Sequence, residues 1–148
     1  MDDAPEDALE LDRQVCFALA AASRGVIGIY RPILEPLGLT HPQYLVMLAL
    51  WGDSPLRFGE LAEMLWLDPA TLSPIVKRLE QRGLIERVPI DGDERTFALV
   101  LTEVGGALRE QALSVPPAVI ARLGLPVERL MALRDELATV IAAVGKSG

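Results

Sequence analysis

Two short segments with helical periodicity are separated by only four residues, and this spacing constrains the fold more than any other feature. In residues 58–65 the apolar side chains fall at i, i+3, i+4 and i+7: Phe58, Leu61, Ala62 and Leu65. The same pattern recurs after residue 69, at Leu72, Ile75, Val76 and Leu79. It is typical of one face of an α-helix. The link, residues 66–69, leaves room only for a tight corner, so the two helices must stand close together.

The pattern after these helices changes from helical to alternating. Gly83 is a natural end for the second helix. Beyond it, residues 85–87 and 96–101 alternate apolar and polar side chains, which predicts a hairpin of two strands with a long, charged tip at Asp91-Gly92-Asp93-Glu94. Helix, tight turn, helix and hairpin in this order predict a winged helix-turn-helix. In that fold the second helix lies in the major groove of DNA, with the hairpin beside it.

Long helices are predicted before this unit. Apolar residues recur at steps of three and four from Leu11 to Ile33, so one amphipathic helix should cover residues 11 to about 34 and end at Pro36 and Gly38. Thr40 is a plausible N-cap for a second helix that runs to Trp51. Because this second helix is apolar on most faces, it should lie at the centre of the fold.

The chain after the hairpin also predicts helices. Thr102 can cap a helix that runs to about Leu113, Pro116-Pro117 and residues 124–126 interrupt the chain, and a final apolar stripe runs from Leu130 to Val144. A winged unit alone does not need the apolar stripes of the outer helices. We therefore assign those helices to a two-fold dimer interface, the symmetry that a palindromic operator requires.

The predicted fold is therefore mainly α, a winged helix-turn-helix with a two-stranded wing and flanking dimerisation helices. We expect a single structural domain. Within it, residues 1–8 form an acidic flexible tail, residues 9–38 and 102–148 form the dimerisation helices, and residues 39–101 form the DNA-binding lobe.

The net charge of −7 over 148 residues first argues against nucleic acid as a partner. However, the first twelve residues hold six acidic side chains and no basic one, and the rest of the chain carries 15 acidic and 14 basic residues. The charge therefore describes one end of the chain. That acidic start is unlike a secretory signal, and the longest charge-free stretch, residues 36–52, contains two prolines. We expect a cytoplasmic protein with no membrane partner.

Cysteine and histidine each occur once, as Cys16 and His41. An internal disulfide needs two cysteines, and structural zinc sites need four ligands that are mostly cysteine or histidine. We therefore expect no internal disulfide, no metal and no other cofactor.

The face that would read DNA lies on the second short helix. With its apolar stripe buried, the side chains left toward solvent are Thr71, Ser73, Pro74, Lys77, Arg78 and Gln81. Hydroxyls and methyl groups reach base edges, and Lys77 and Arg78 neutralise phosphates. An ordinary solvated helix face fits the same pattern equally well.

The tip of the hairpin carries Arg95 among three acidic residues. A single arginine here can enter a narrow minor groove, with Asp93 fixing its side chain. A salt bridge within the turn is the alternative, and the spacing does not separate the two.

Cys16 lies in the first predicted helix among apolar neighbours, where a lone cysteine is most often a small core side chain. Its position near the helix N-terminus favours the thiolate, the form that attacks a peroxide, although nearby acidic residues oppose this effect. Tyr30 follows 14 residues later, on a similar face but about 21 Å along the axis, so the two side chains cannot meet within one helix. Two such helices, antiparallel across a dimer axis, would bring Cys16 near the partner subunit's Tyr30.

Five segments resemble the organic hydroperoxide resistance regulators (OhrR) of the MarR family, and the resemblance runs from about residue 9 to 117. The segments are Leu11-Asp12-Arg13-Gln14-Val15-Cys16-Phe17-Ala18-Leu19, Tyr30-Arg31-Pro32, Leu39-Thr40-His41-Pro42-Gln43-Tyr44-Leu45-Val46-Met47, Asp93-Glu94-Arg95 and Leu101-Thr102. The last two resemble MarR proteins generally. The first three resemble the peroxide-sensing branch more specifically.

The resemblance implies a dimeric repressor that leaves its operator when the sensing cysteine is oxidised. By position, Cys16 is the residue that reacts with peroxide and Tyr30 is a hydrogen-bonding partner from the other subunit. His41 stands where the family often has a second tyrosine, and its imidazole can donate the same hydrogen bond.

Some relatives carry a second, resolving cysteine near the C-terminus, and this chain has none. The resemblance therefore implies a one-cysteine mechanism. An organic hydroperoxide is the inducer: it oxidises Cys16 to a sulfenic acid, which then reacts with an external low-molecular-weight thiol.

Three other functions fit parts of the sequence. The nearest is a MarR repressor released by a small aromatic or phenolic ligand, with Cys16 as a bystander. A thiol peroxidase is disfavoured because one cysteine has no resolving partner in the chain. A winged helix used only for protein contacts would show no salt-dependent binding to its own promoter.

Overall fold

The computed structural model describes the backbone of residues 4–90 and 93–147, and the side chains of residues 10, 14–90 and 96–145. The elements in chain order are α1 (Ala4–Leu34), a 3-10 helix (Glu35–Leu37), α2 (His41–Gly52), β1 (Leu56–Arg57), α3 (Phe58–Leu65), α4 (Pro69–Gln81), β2 (Ile85–Ile90), β3 (Asp93–Leu101), α5 (Glu103–Ala112), α6 (Val115–Leu123) and α7 (Val127–Ser147). They form two compact units, one ending at Leu113 and the other beginning at Ser114.

Helix α1 begins at Ala4, seven residues before the predicted start. Residues 4–8 therefore have helical backbone, which differs from the flexible tail predicted for residues 1–8; residues 1–3 lie outside the described residues. The physical reason is that Pro5 suits the first turn of a helix and that acidic residues near a helix N-terminus interact favourably with its dipole. The predicted end is confirmed, because Gly38 takes the left-handed conformation (φ 70°) just after the 3-10 helix.

By length and composition alone, the stretch Gln14–Leu37 could cross a membrane. A search for charge-free stretches does not find this one, because Arg24 and Arg31 lie within it. Only 6% of the stretch is buried, so most of its apolar surface is exposed.

Helix α2 lies at the centre of the first unit, as predicted. Its Val46, Met47 and Leu50 are buried. The helix begins with a capping box, in which the Gln43 N–H donates to Thr40 Oγ1 (3.3 Å) and the Thr40 N–H donates to Gln43 Oε1 (3.1 Å). Leu61 from α3 and the α4 stripe of Leu72, Val76 and Leu79 are buried as well.

The tight corner between α3 and α4 is confirmed. Trp66 ends α3 in the left-handed region (φ 58°), and Asp68 caps α4 by accepting the Thr71 N–H at 2.8 Å. That N–H lowers the pKa of the Asp68 carboxyl, because the bond favours the charged form. The corner therefore fixes where the first turn of α4 begins.

The wing has three strands, one more than predicted, in the order β1-β3-β2. Strand β1 pairs antiparallel with β3, Leu56 opposite Leu99. Its two residues are too short to show an alternating pattern, which is why the sequence did not reveal it. The tip is also shorter than predicted, because β2 ends at Ile90 and β3 begins at Asp93. These two residues pair with each other, and the register of the two strands shifts between Pro89 and Ile90.

Helix α5 belongs to the first unit. Thr102 caps it by accepting the Gly105 N–H (3.0 Å), and the Trp51 indole N–H donates to the Gly105 carbonyl (2.9 Å). A Cβ on Gly105 would lie 1.9 Å from the Leu84 carbonyl oxygen, so only glycine fits this approach. The two compact units thus divide after Leu113, whereas the second group of dimerisation helices is predicted to start at residue 102. The role of these helices in dimerisation stays a prediction.

The second unit consists of α6 and α7. Pro116 and Pro117 lie in the first turn of α6, where a missing N–H costs little, so they begin a helix rather than interrupt one. Gly124 ends α6 in the left-handed conformation (φ 68°). Exposed apolar side chains lie along α7: Val127, Met131, Leu133, Val140, Ile141 and Val144.

Candidate functional site

The face of α4 predicted to meet DNA is exposed along its whole length. Its six predicted solvent-facing residues, Thr71, Ser73, Pro74, Lys77, Arg78 and Gln81, are all exposed. Ile75 is half-buried, so the apolar stripe is slightly narrower than predicted. Together the six residues offer hydroxyls, an amide and two positive charges on one side of a helix, the donor set that DNA recognition uses.

Pro74 is the sixth residue of α4, which is farther into the helix than the first turn. Because proline has no N–H, Pro74 cannot donate the usual helix bond to the Ala70 carbonyl. Ala70 is exposed, so water can take the place of that donor. Helix α4 therefore continues through Pro74 to Gln81.

A shallow groove of about 530 Å³ separates α4 from the wing, lined by Ser73, Lys77, Glu80, Gln81 and Arg87. Arg87 donates from Nε to Glu80 Oε1 at 2.8 Å, and its guanidinium lies 4.5 Å from the centre of the Phe97 ring. Arg87 is not among the site residues predicted from the sequence. Alternation along β2 indicated only the strand, and its contacts with α4 and β3 depend on the folded chain.

At the wing tip, Asp93 and Arg95 belong to strand β3, but their side chains lie outside the described residues. Insertion of Arg95 into a minor groove and a salt bridge within the turn therefore both remain predictions.

A cluster of three aromatic rings forms where the end of α1 meets the start of α2. The Tyr30 and His41 ring centroids lie 4.9 Å apart, edge to face, and the Tyr30 and Tyr44 centroids lie 5.8 Å apart. The fold thus brings together the two residues that the resemblance places beside the sensing cysteine. Tyr44 is not among the site residues predicted from the sequence, because its place in the apolar pattern indicates core, and it is only 3% exposed.

Burial keeps the aromatic cluster (Tyr30, His41 and Tyr44) neutral. Burial raises the pKa of Tyr30 and of Tyr44, and the neighbouring Tyr30 raises the pKa of Tyr44 further. Burial lowers the pKa of His41. At neutral pH the cluster therefore holds two phenol O–H groups and an uncharged imidazole, all able to donate hydrogen bonds. A cleft of about 430 Å³ lies beside it, lined by Ile27, Arg31, Glu35, Gly38, Leu39, Thr40, His41 and Pro42.

Cys16 is exposed on α1, and in a single chain it lies about 21 Å along the helix axis from Tyr30. The predicted effect of the helix dipole on Cys16 is wrong. Because α1 begins at Ala4, Cys16 lies about three turns inside the helix, and the dipole acts only within the first turn. Within the described side chains, no group of three His, Cys, Asp or Glu residues is placed to hold a metal ion.

Comparison with known proteins identifies the family. The MarR family profile matches residues 39–97, which include α2 to α4 and most of the wing. The organic hydroperoxide resistance transcriptional regulator of Bacillus subtilis is 39% identical over 135 residues, covering 91% of this chain and 92% of that protein. The chain belongs to the MarR family. This MarR protein is a transcriptional regulator and not an enzyme, which disfavours the thiol peroxidase alternative.

Solved structures of other MarR proteins share the fold. Reduced AbfR bound to DNA, a protein from Staphylococcus epidermidis, has a TM-score of 0.77 and 30% identity, over 95% of this chain and 98% of AbfR. CouR from Rhodococcus jostii RHA1, bound to p-coumaroyl-CoA, has a TM-score of 0.74 and 27% identity, over 85% of this chain and 90% of CouR. The predicted winged helix-turn-helix class is confirmed.

Proposed function

We propose that this MarR protein is a cytoplasmic homodimeric repressor that binds a palindromic operator and releases it when an organic hydroperoxide oxidises Cys16. The observation that carries the proposal is the meeting of Tyr30 and His41 at 4.9 Å, in the positions where the resemblance expects the partners of a sensing cysteine. The 39% identity with the organic hydroperoxide resistance transcriptional regulator supports it.

Dimerisation is supported by the apolar side chains that α1 exposes, among them Val15, Phe17, Leu19 and Ile27. Exposed large apolar side chains on one helix mark an interaction surface. A second copy of the chain can cover it, and antiparallel pairing of the two α1 helices would bring Cys16 to the aromatic cluster of the other subunit. These exposed apolar side chains also contribute to the membrane-like composition of Gln14–Leu37.

The chemistry that we propose balances with one cysteine. The Cys16 thiolate attacks an oxygen of the hydroperoxide, the O–O bond breaks, and the departing alkoxide takes a proton to leave as an alcohol. Cys16 becomes a sulfenic acid, and Tyr30 and His41 of the other subunit hydrogen-bond the reacting oxygens. The sequence has no second cysteine, so an external low-molecular-weight thiol condenses with the sulfenic acid and releases water.

Operator binding uses α4 and the wing. Thr71, Ser73 and Pro74 lie toward the N-terminal half of α4 and would contact base edges, and Lys77 and Arg78 would contact phosphates. Asp93 and Arg95 at the tip would contact the minor groove. Binding of the similar AbfR to DNA supports this assignment.

The decisive test is operator binding by full-length wild type and Cys16→Ser, measured by fluorescence anisotropy with and without cumene hydroperoxide. Wild type should leave the operator and rebind after excess dithiothreitol has reduced Cys16, and mass spectrometry of the released protein should find the added oxygen on Cys16. Cys16→Ser should bind the reduced-state operator normally and ignore the peroxide. Release of the Cys16→Ser protein by peroxide would show that the redox proposal is wrong.

The cleft beside the aromatic cluster favours a second candidate, a MarR repressor released by a small aromatic or phenolic ligand. Its volume of about 430 Å³ is in the range of small-molecule sites, and the similar CouR binds p-coumaroyl-CoA. A thermal shift and operator release with p-coumarate or 4-hydroxyphenylacetate, together with no response to peroxide, would establish this candidate instead.

A further inference from the structure

The turn that joins α1 to α2 is held by side chains from two distant helices. Three successive carbonyls of this turn accept hydrogen bonds: Pro36 from Gln111 Nε2 (3.3 Å), Leu37 from Arg82 Nη2 (3.3 Å) and Gly38 from Arg82 Nη1. Carbonyls at the end of a helix have no partner within it and must find one elsewhere. Here the partners are supplied by the end of α4 and by α5.

Arg82 is the C-cap residue of α4, so its backbone and its side chain belong to different parts of the fold. Its N–H donates to the Arg78 carbonyl of α4 (3.1 Å), while its guanidinium reaches the turn 44 residues earlier. One residue therefore connects the end of the DNA-reading helix to the end of α1. An arginine suits this role because its planar fork donates two hydrogen bonds in a fixed geometry.

Gly38 is fitted to this contact. A Cβ on residue 38 would lie 2.8 Å from Arg82 Nη2, and the backbone has a φ of +70°. Any other residue would push the guanidinium away and would also be strained.

The same turn forms a wall of the cleft beside the aromatic cluster. Glu35 and Gly38 line that cleft together with His41, whose ring contacts Tyr30. A change in the position of α1 or of the cluster therefore moves the carbonyls that Arg82 holds.

We propose that Arg82 is a positioning residue for DNA recognition, which makes the orientation of α4 follow that of α1. This inference rests on the proposed operator binding, and its sensing consequence rests on the proposed redox release. Without the guanidinium, α4 keeps its apolar packing on α2 but loses its fixed relation to the turn.

The first experiment compares reduced, full-length wild type with Arg82→Ala, Arg82→Lys and the control Gln111→Ala, which removes the hydrogen bond from α5 to the same turn. We expect Arg82→Ala to bind the operator about tenfold more weakly than wild type and Arg82→Lys to show a smaller loss of affinity. The operator affinity of Gln111→Ala should stay within about twofold of wild type. The slope of log affinity against log salt should not change, since Arg82 acts through α4 and not on phosphate.

The second experiment measures the ratio of operator affinity before and after cumene hydroperoxide. In Arg82→Ala this ratio should fall toward one, and in Gln111→Ala it should match wild type, because the Arg82 side chain extends to the turn from the end of α4 and the Gln111 side chain extends to it from α5. A purely structural role for Arg82 would lower thermal stability and leave the ratio unchanged, and that outcome would overturn the inference.

Two other outcomes would also overturn it: a folded Arg82→Ala protein with wild-type operator affinity, or a salt slope less steep by about 2 per dimer, which would make Arg82 a phosphate contact. If wild type does not respond to peroxide, the redox proposal fails, while operator affinity and salt slope still decide the role of Arg82. Should Arg82→Ala not fold by circular dichroism, Arg82→Lys decides the same question.

Discussion

Two helices of this MarR protein expose side chains of different chemistry. The exposed side of α4 is polar, with hydroxyls, an amide and two positive charges. Helix α1 exposes several large apolar side chains, of which Phe17 is 67% exposed. Polar side chains are stable in water without a partner, whereas exposed apolar side chains cost free energy until a partner buries them. These surfaces fit the proposed partners, a lasting one at α1, which is the second subunit, and a reversible one at α4, which is the operator.

The largest expected effect comes from placing a charge on the apolar face. Phe17→Asp should raise the dimer dissociation constant more than 100-fold, because losing two buried phenylalanines costs about 3 kcal/mol or more. Operator binding should fall with it. Analytical ultracentrifugation measures the change, and Met64→Asp, which puts the same charge on a 53% exposed side chain of α3, should leave the dimer intact. Wild-type dimerisation of the Phe17→Asp protein would show that this part of α1 does not lie in the dimer interface.

A smaller effect is expected on the polar face. Lys77→Ala should weaken operator and non-specific binding alike, on the order of tenfold, and make the salt slope less steep by about 2 per dimer. Gln81→Ala removes an exposed, uncharged side chain of the same helix and should leave the slope unchanged. Equal slopes for wild type and Lys77→Ala would mean that this face does not lie on the phosphate backbone.

The smallest expected effect is on the pH dependence of the unfolding free energy, through His41 of the aromatic cluster. The pKa of His41 is lowered by burial, so between that pKa and about 6.5 the unfolded chain binds more protons than the folded one. Stability from His41 is therefore present above pH 6.5 and lost as pH falls below it. The drop in unfolding free energy between about pH 7.5 and 5.5 should be smaller in His41→Gln than in wild type. Tyr30 and Tyr44 are neutral throughout this range. Identical pH dependence in the two proteins would contradict the burial of the imidazole.

Features that depend on neighbouring residues could be predicted from the sequence. The stripes of α3 and α4, the caps at Thr40 and Thr102, and the six exposed residues of α4 all follow from helical periodicity and capping chemistry, which act within a few residues. Strand β1 has only two residues, and such a short strand gives no period to detect.

Features that depend on contacts between distant residues could not be predicted in the same way. Arg82 and the turn at Gly38 are separated by 44 residues, and the contact of Arg87 with Phe97 requires the register of the finished sheet. Tyr44 follows the core pattern, which conceals its place in the aromatic cluster. The resemblance supplied Tyr30 and His41, but the proposed meeting with Cys16 requires a second chain.

The two tryptophans of the sequence make the chain its own optical probe. Trp66 is 59% exposed at the corner directly before α4, whereas the Trp51 indole is tied to the Gly105 carbonyl where α2 meets α5. Light emitted by Trp66 reports events at the reading helix, and light from Trp51 reports the integrity of the core. Replacing either residue by phenylalanine separates the two signals, so that operator capture and unfolding can be followed in unlabelled protein.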